Sequence, residues 1–223
     1  MLLGRAFAAS YYRQKKGLHP RPRSMAKPLL FLTSNQGKLA EAKQHLDPLG
    51  FDVQQFLIDG KVPVITEPQA DCLEEVAKAK MQQAVALLFS QEIEAAIMIE
   101  DAGLFIDVLN GFPGVYSAYI LKSIGCQGIQ KILTTERVAR FEAVAMLWDG
   151  ENTITGKGTC NGQISTEIVE GSGFGFDPIF IPDDLEDGTS TGGTPFGGID
   201  LSLKQAFSHR RKALDDLISK MRI

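Results

Sequence analysis

The spacing of apolar and polar positions changes period several times along this chain, and each change marks an element. Leu29-Leu30-Phe31-Leu32 is a short continuous apolar run, the pattern of a buried strand. It leads into the polar run Thr33-Ser34-Asn35-Gln36-Gly37-Lys38, after which Leu39, Ala42, Leu46 and Leu49 recur at helical spacing. The polar run is therefore a strand-to-helix turn, with Ser34 or Asn35 as the N-cap. Phe51 to Ile58 reads as a second strand and Pro63 to Asp71 as a loop. Leu73, Val76, Ala77, Ala84, Val85 and Leu88 outline the next helix, with Glu74 and Glu75 matching the dipole of its first turn. Ala95 to Ile99 is another buried strand, expected to end where Glu100-Asp101-Ala102-Gly103 turns outward.

The second half changes to period two. A Gly/Pro-rich loop spans Asn110 to Ser117, and a short helix is expected from Ile124 to Leu133. Phe141, Ala143, Ala145 and Leu147 then alternate, Asp149-Gly150 is a hairpin signal, and Thr153 to Cys160 pairs back. Gly162 to Val169 is expected to continue as a further strand. Ile179 to Ile181 is a short strand, and Asp183 to Gly198 a polar, mobile loop. Ala213, Leu214, Leu217, Ile218 and Met221 give an amphipathic C-terminal helix that Ser208 is placed to cap. Helix-strand alternation followed by a meander predicts a mixed α/β fold, not a purely doubly wound one.

Charge divides the chain. Residues 1–27 hold seven Lys or Arg and no acid, whereas the remainder holds 16 basic and 27 acidic side chains, a net of −11. The basic stretch fits a transit peptide, and it fits an overlong start with Met25 as the true first residue, which is the simpler reading. Either way it is set apart from the domain at 28–223 and expected to be disordered. An acidic body argues against nucleic-acid binding, and no run approaches the ~20 apolar residues that span a bilayer. Cys72, Cys126 and Cys160 show neither metal spacing nor a disulfide framework, which fits structural thiols in a reducing, cytoplasmic setting.

Four segments carry polar groups that the pattern does not need. Free N–H groups at the start of the first helix bind phosphate, and Lys38 there opposes the dipole until an anion arrives. Glu100 and Asp101 have no cation within four residues on either side. Carboxylates so placed hold a metal or activate water, although alone they also fit a solvated acidic turn. Gly171 to Pro178 reads GSGFGFDP, which suits a flat ligand stacked on an aromatic ring and also fits a plain turn. His209 and Arg210 stand in a helix's first turn, where cations are disfavoured without an anion or acceptor nearby. Together these suit a nucleoside triphosphate with a divalent metal.

TSNQGK, EDAGL, GFPGVYSA, FGFDP and SHRRKAL, in this order, resemble the inosine triphosphatase-like pyrophosphatases over about residues 28–223. The resemblance implies an elongated two-lobed fold, a central mixed sheet flanked by helices, and an active site in the cleft between the lobes. It implies hydrolysis of ITP, dITP and XTP to the monophosphate and pyrophosphate with Mg²⁺, usually by a homodimer. Carried over, Thr33, Ser34, Asn35, Gln36, Gly37 and Lys38 contact the phosphates, and Lys38 and Asp101 are catalytic. Asp101 is the metal-linked general base, Glu67 the preferred second metal ligand, and Glu74 the alternative. Ala102 stands at a substrate-contacting position. Phe174, Gly175, Phe176 and Asp177 contact the nucleoside; Lys204, His209 and Arg210 read the base. Donor-only groups favour the O6 acceptor of hypoxanthine or xanthine over the amino group of adenine. The alternatives are a pyrophosphatase for modified pyrimidine nucleotides and a catalytically silent nucleotide-binding module. Against the family pattern, Ala102 replaces a Ser, Val76 an Asn and Tyr119 an Arg, and Phe196-Gly197-Gly198 stands for Phe-Ala-Glu.

Overall fold

The computed structural model describes residues 28–171 and 173–221. The basic segment 1–27, with its expected disorder, lies outside the described residues.

The strands are β1 Pro28–Phe31, β2 Asp52–Gln55, β3 Ala96–Ile106, β4 Val138–Trp148, β5 Thr153–Ile164 and β6 Phe180–Pro182. They form one mixed sheet in the order β2-β1-β3-β4-β5-β6. β1 runs parallel to β2 and β3 because a helix crosses over between each pair; the later strands are antiparallel. The helices are α1 Gln36–Leu46, α2 Leu73–Ser90, α3 Ser117–Ser123, α4 Gly125–Ile132, α5 Leu201–Phe207 and α6 His209–Lys220.

Successive residues of β3 face opposite sides of the sheet. Ile97 and Ile99 pack against Ala77, Met81 and Ala84 of α2. Met98 packs with Leu39, Ala42 and Leu46 of α1 and with Leu214 and Leu217 of α6. Further along that same face, Leu104 and Ile106 join a separate cluster with Phe141, Phe180, Phe196 and Phe207. The apolar core on this face is thus split in two, Met98 and Ala102 packing with the first cluster and Leu104 and Ile106 with the second, and Glu100 interrupts the first. Gly156 and Gly158 of β5 bring α6 directly onto the sheet. A Cβ on either would stand 2.1 Å from a backbone carbonyl, that of Ala213 or of His209. That contact fixes the start of α6, and with it His209 and Arg210.

The expected strand end at Glu100-Asp101 is not found. β3 continues through Glu100, Asp101, Ala102 and Gly103 to Ile106, paired throughout with β4. Leu104, Phe105 and Ile106 are apolar and extend the strand. Gly103 serves contact and not a turn, since a Cβ there would lie 2.4 Å from the Gly114 carbonyl. What stops is the neighbour: β1 ends at Phe31, opposite Met98. Beyond Gly103 the free edge is covered again, because Leu104 N donates to Ser117 Oγ at 2.8 Å and Ile106 N to the Phe112 carbonyl at 3.3 Å. Between these points the edge of β3 is open.

Three further expectations change. β5 runs unbroken to Ile164, so Gly162 to Val169 is not a separate strand; Gly162 instead makes room for the Ile181 carbonyl of β6, 2.1 Å from where its Cβ would stand. Asp183 to Gly198 is irregular but anchored, because Phe196 is fully buried among Phe141, Phe180 and Phe207. The sequence reading has no helix at α3 or α5, each only seven residues long. α5 is capped by Asp200, which accepts from Leu203 N at 2.8 Å.

Candidate active site

The open edge of β3 faces the turn that starts α1. Asn35 is the N-cap: its Oδ1 accepts from Lys38 N at 3.1 Å, and Thr33 Oγ1 accepts from Asn35 N at 3.1 Å. Ser34, Asn35 and Gln36 are exposed. Lys38 leans back onto β3, donating to the Glu100 carbonyl at 3.2 Å and pairing with Glu100 Oε2 at 2.9 Å. The free end of the helix is therefore not the only thing this lysine faces. Alternation along β3 puts the backbone N–H of Ala102 on the same open edge.

Glu100 and Asp101 point to opposite faces, and each meets cations that are remote in sequence. On the α6 face, Glu100 pairs with Lys38 and, at 3.5 Å, with Arg210 Nε. Arg210 Nη1 donates to Glu41 at 3.1 Å; Lys204 donates to Glu41 at 3.2 Å and to Asp177 at 2.8 Å. Burial alone would raise the Glu100 carboxyl, but Lys38 and Arg210 hold it below the usual value. This chain of buried charges interrupts the apolar packing on this face. Each member depends on the next, since removing one partner of a buried pair leaves an uncompensated charge.

On the α2 face, Lys80 Nζ lies 2.5 Å from Asp101 Oδ1 and 2.7 Å from Glu67 Oε1. Asp101 Oδ2 is buried and accepts no hydrogen bond among the described residues. Burial pushes the Asp101 carboxyl up, with Lys80 and Lys38 pulling the other way. The loop carrying Glu67 is clamped to α2 by two bonds, Thr66 N to Gln83 Oε1 at 2.8 Å and Gln83 Nε2 to the Thr66 carbonyl at 2.7 Å. Glu74 is engaged elsewhere, paired with Lys157. Among the described residues no three His, Cys, Asp or Glu side chains gather as a ready-made metal cage.

Phe174 stands between the start of α1 and the cations of α5 and α6. Lys204 Nζ stands 4.6 Å and the Arg210 guanidinium 4.7 Å from its ring centroid. Gly37 admits the ring, because a Cβ there would be 2.8 Å from Phe174 Cε1. Asp177 supports the loop by accepting from Phe174 N at 2.7 Å, and Gly175 turns it at φ +70°. Phe176 does not join the site: it is 3% exposed and packs in the core with Phe180 and Phe196, whereas Phe174 is half-buried. His209 stacks on Phe141 at 4.7 Å, and both its ring nitrogens are buried without a partner. Burial, then Arg210 and Lys204, hold it well below its usual pKa, so it is neutral near pH 7.

The profile of the Ham1 family matches residues 29–220. The chain belongs to the Ham1 family. It is 42% identical over 188 residues to the dITP/XTP pyrophosphatase of Thermococcus kodakarensis, covering 83% of this chain and 92% of that protein. It is 38% identical over 190 residues to the dITP/XTP pyrophosphatase of Methanopyrus kandleri, covering 84% and 92%. The solved Ham1 protein of Staphylococcus aureus superposes with a TM-score of 0.65 at 28% identity, covering 85% of this chain and 95% of that one. Within this Ham1-family chain, two charged residues of the site lie outside the sequence reading. Glu41 shares a helix face with Lys38 and His45, three before it and four after it. Lys80 is a cation on the apolar stripe Ala77-Met81-Ala84 of α2. A charge on an apolar stripe was the available signal for Lys80; Glu41, among polar neighbours, gave none.

Proposed function

We propose that this protein hydrolyses the non-standard purine nucleoside triphosphates ITP, dITP and XTP to the monophosphate and pyrophosphate, removing them from the nucleotide pool. The observation that carries this is Asp101 at the open edge of β3, one oxygen held by Lys80 and the other unpartnered. The names of its relatives point the same way.

The N-terminus of α1 and Lys38 receive the phosphates, and Glu100 holds Lys38 in place until they arrive. Asp101 accepts the proton of the attacking water through its free oxygen. Its carboxyl is raised above the usual value by burial, which strengthens it as a base. Asp101 and Glu67 fit Mg²⁺: Asp101 Oδ1 and Glu67 Oε1 are hard oxygens that converge on a point where Lys80 now places positive charge, which leaves Asp101 Oδ2 for the proton. Two carboxylates suffice for an ion that takes its other ligands from phosphate and water. Bound there, Mg²⁺ supplies neutralisation of phosphate charge and a more acidic water.

Phe174 is the shelf for the base. Lys204, the remaining donors of Arg210 and the neutral His209 read its edge, and donors favour the O6 acceptor over the adenine amino group. Mis-pairing these buried donors is costly, which gives the site its selectivity. The working form is a homodimer, as the family resemblance implies. Its place is the cytoplasm, in keeping with free thiols at Cys126 and Cys160 held protonated by burial, at pKa values of about 11 and about 12. No helix among the described residues is long and apolar enough to cross a membrane.

Pyrophosphate release with Mg²⁺ across ITP, dITP, XTP, GTP, ATP and dUTP tests the assignment. The first three should turn over fastest. A preference for dUTP, or binding without turnover, would overturn it. Light scattering of the purified protein reads the dimer.

A further inference from the structure

One side chain of the outermost strand reaches the turn that starts α1. Gln55 closes β2 and stands beside Phe31, the last residue of β1. It shares a sheet face with Val53, which joins the cluster of Leu39, Ala42 and Leu46, so the alternation has room for another apolar residue there. Gln55 instead donates from Nε2 to the Thr33 carbonyl at 2.7 Å. The backbone beside it is held as well, since Phe56 N donates to the Phe31 carbonyl at 2.9 Å. In a trans peptide the C=O and the following N–H point in opposite directions, so a partner on the Thr33 carbonyl also sets the direction of Ser34 N–H. Asn35 N and Lys38 N are taken up by Thr33 Oγ1 and Asn35 Oδ1. The N–H groups of Ser34, Gln36 and Gly37 have no acceptor among the described residues.

Resting on the pyrophosphatase reading above, we propose that Gln55 is a positioning residue for the substrate's phosphates. It fixes the Thr33–Ser34 peptide so that Ser34 N–H joins those of Gln36 and Gly37 in receiving them. β1 lies between β2 and β3 in the sheet. Drawing the Thr33 carbonyl toward β2 turns Ser34 N–H the other way, to the side of the open β3 edge where Lys38 and Asp101 stand. A donor aimed before the anion arrives has less freedom to lose on binding it. Gln55 touches no substrate; its effect on the phosphates passes through Ser34 N–H.

Binding of the separate halves of the substrate tests this. Gln55→Met keeps the length of the side chain and removes its donor. By calorimetry, inorganic tripolyphosphate should bind the variant roughly tenfold more weakly than wild type, the size of one lost hydrogen bond to a charged group. Inosine, which has the base and no phosphate, should bind both equally. KM for ITP, dITP and XTP should rise by one common factor, since the base is not involved. Tripolyphosphate affinity within about twofold of wild type would overturn the proposal. So would an equal loss for inosine or a changed order of substrates, because those mark a site loosened as a whole. Where Gln55→Met does not fold, the wild type decides. In nitrogen-15 amide spectra the Ser34 resonance should move downfield when tripolyphosphate is added; a Ser34 amide that does not respond would overturn the proposal. A wild type inactive on ITP would sink the pyrophosphatase reading, while the tripolyphosphate titrations would still decide this one.

Discussion

Lys80 on α2 places its ammonium 2.5 Å from Asp101 Oδ1, across the sheet face from the helix that carries it. Burial alone would lower the lysine's pKa, but Asp101 and Glu67 hold it above the usual value, so the ammonium stays charged. Asp101 is raised by its own burial and lowered by Lys80. Removing the lysine leaves the burial effect unopposed on that side.

Lys80→Met should therefore shift the acid limb of the ITP rate profile to higher pH. The base form of Asp101 is lost as pH falls through its pKa, and that pKa climbs when Lys80 goes. The rate at the optimum should also fall by about 10²-fold, the usual cost of one lost electrostatic contact to a reacting group. A pH series of kcat checks both; an acid limb that stays in place or moves down contradicts the pairing.

Lys38→Ala should destabilise the free protein. A lysine in the first turn of a helix opposes the dipole, and on sequence grounds its removal would stabilise slightly. The structure reverses that sign, because Lys38 neutralises Glu100, whose side chain is 4% exposed. Losing it should cost about 1–3 kcal/mol in urea unfolding at neutral pH. Glu100 is held below its usual pKa, so its stabilising effect is present above pH 4.5 and is lost as pH falls through the folded value. Denaturation of wild type and variant should accordingly converge in acid.

His209 makes a prediction of opposite origin. Its folded pKa lies well below the 6.5 of the free side chain, so the unfolded state takes up the proton first. Stability from this group is full above pH 6.5 and declines as pH falls below it. His209→Asn should flatten that decline by up to about 1.4 kcal/mol per pH unit. Urea midpoints at pH 6.5 and 5.5 check it; parallel slopes contradict a buried neutral histidine.

Much of this was readable in the chain. The Leu29–Leu32 run, the helical spacing from Leu39 and the alternation from Phe141 each depend on local period, and each appears as an element. So do the caps at Asn35 and Ser208, whose side chains bond N–H groups three residues on. Pairings between remote segments were not readable. Glu100-Asp101 looks like an exposed turn because its cations, Lys38, Lys80 and Arg210, are 62, 21 and 110 residues away in sequence. The opening at that point exists because β1 is short, and strand length against a neighbour is a tertiary property. Phe174 and Phe176 are indistinguishable as letters; only the turn at Gly175 sends one to the site and the other to the core.

The central claim is that Asp101 performs the chemistry at the open edge of β3. Asp101→Asn keeps shape and removes the proton acceptor. The change also takes from the buried Lys80 its main counter-charge, so a melting curve without metal is recorded beside the kinetics to separate lost stability from lost turnover. The deciding measurement is single-turnover hydrolysis of ITP at saturating Mg²⁺ by wild type and Asp101→Asn. The account predicts a fall of at least about 10²-fold in rate, within the ~10²–10⁴ range for a lost general base, with ITP binding largely retained. A variant rate within about threefold of wild type would contradict it, since so small a change leaves no lost transition-state interaction to assign to Asp101.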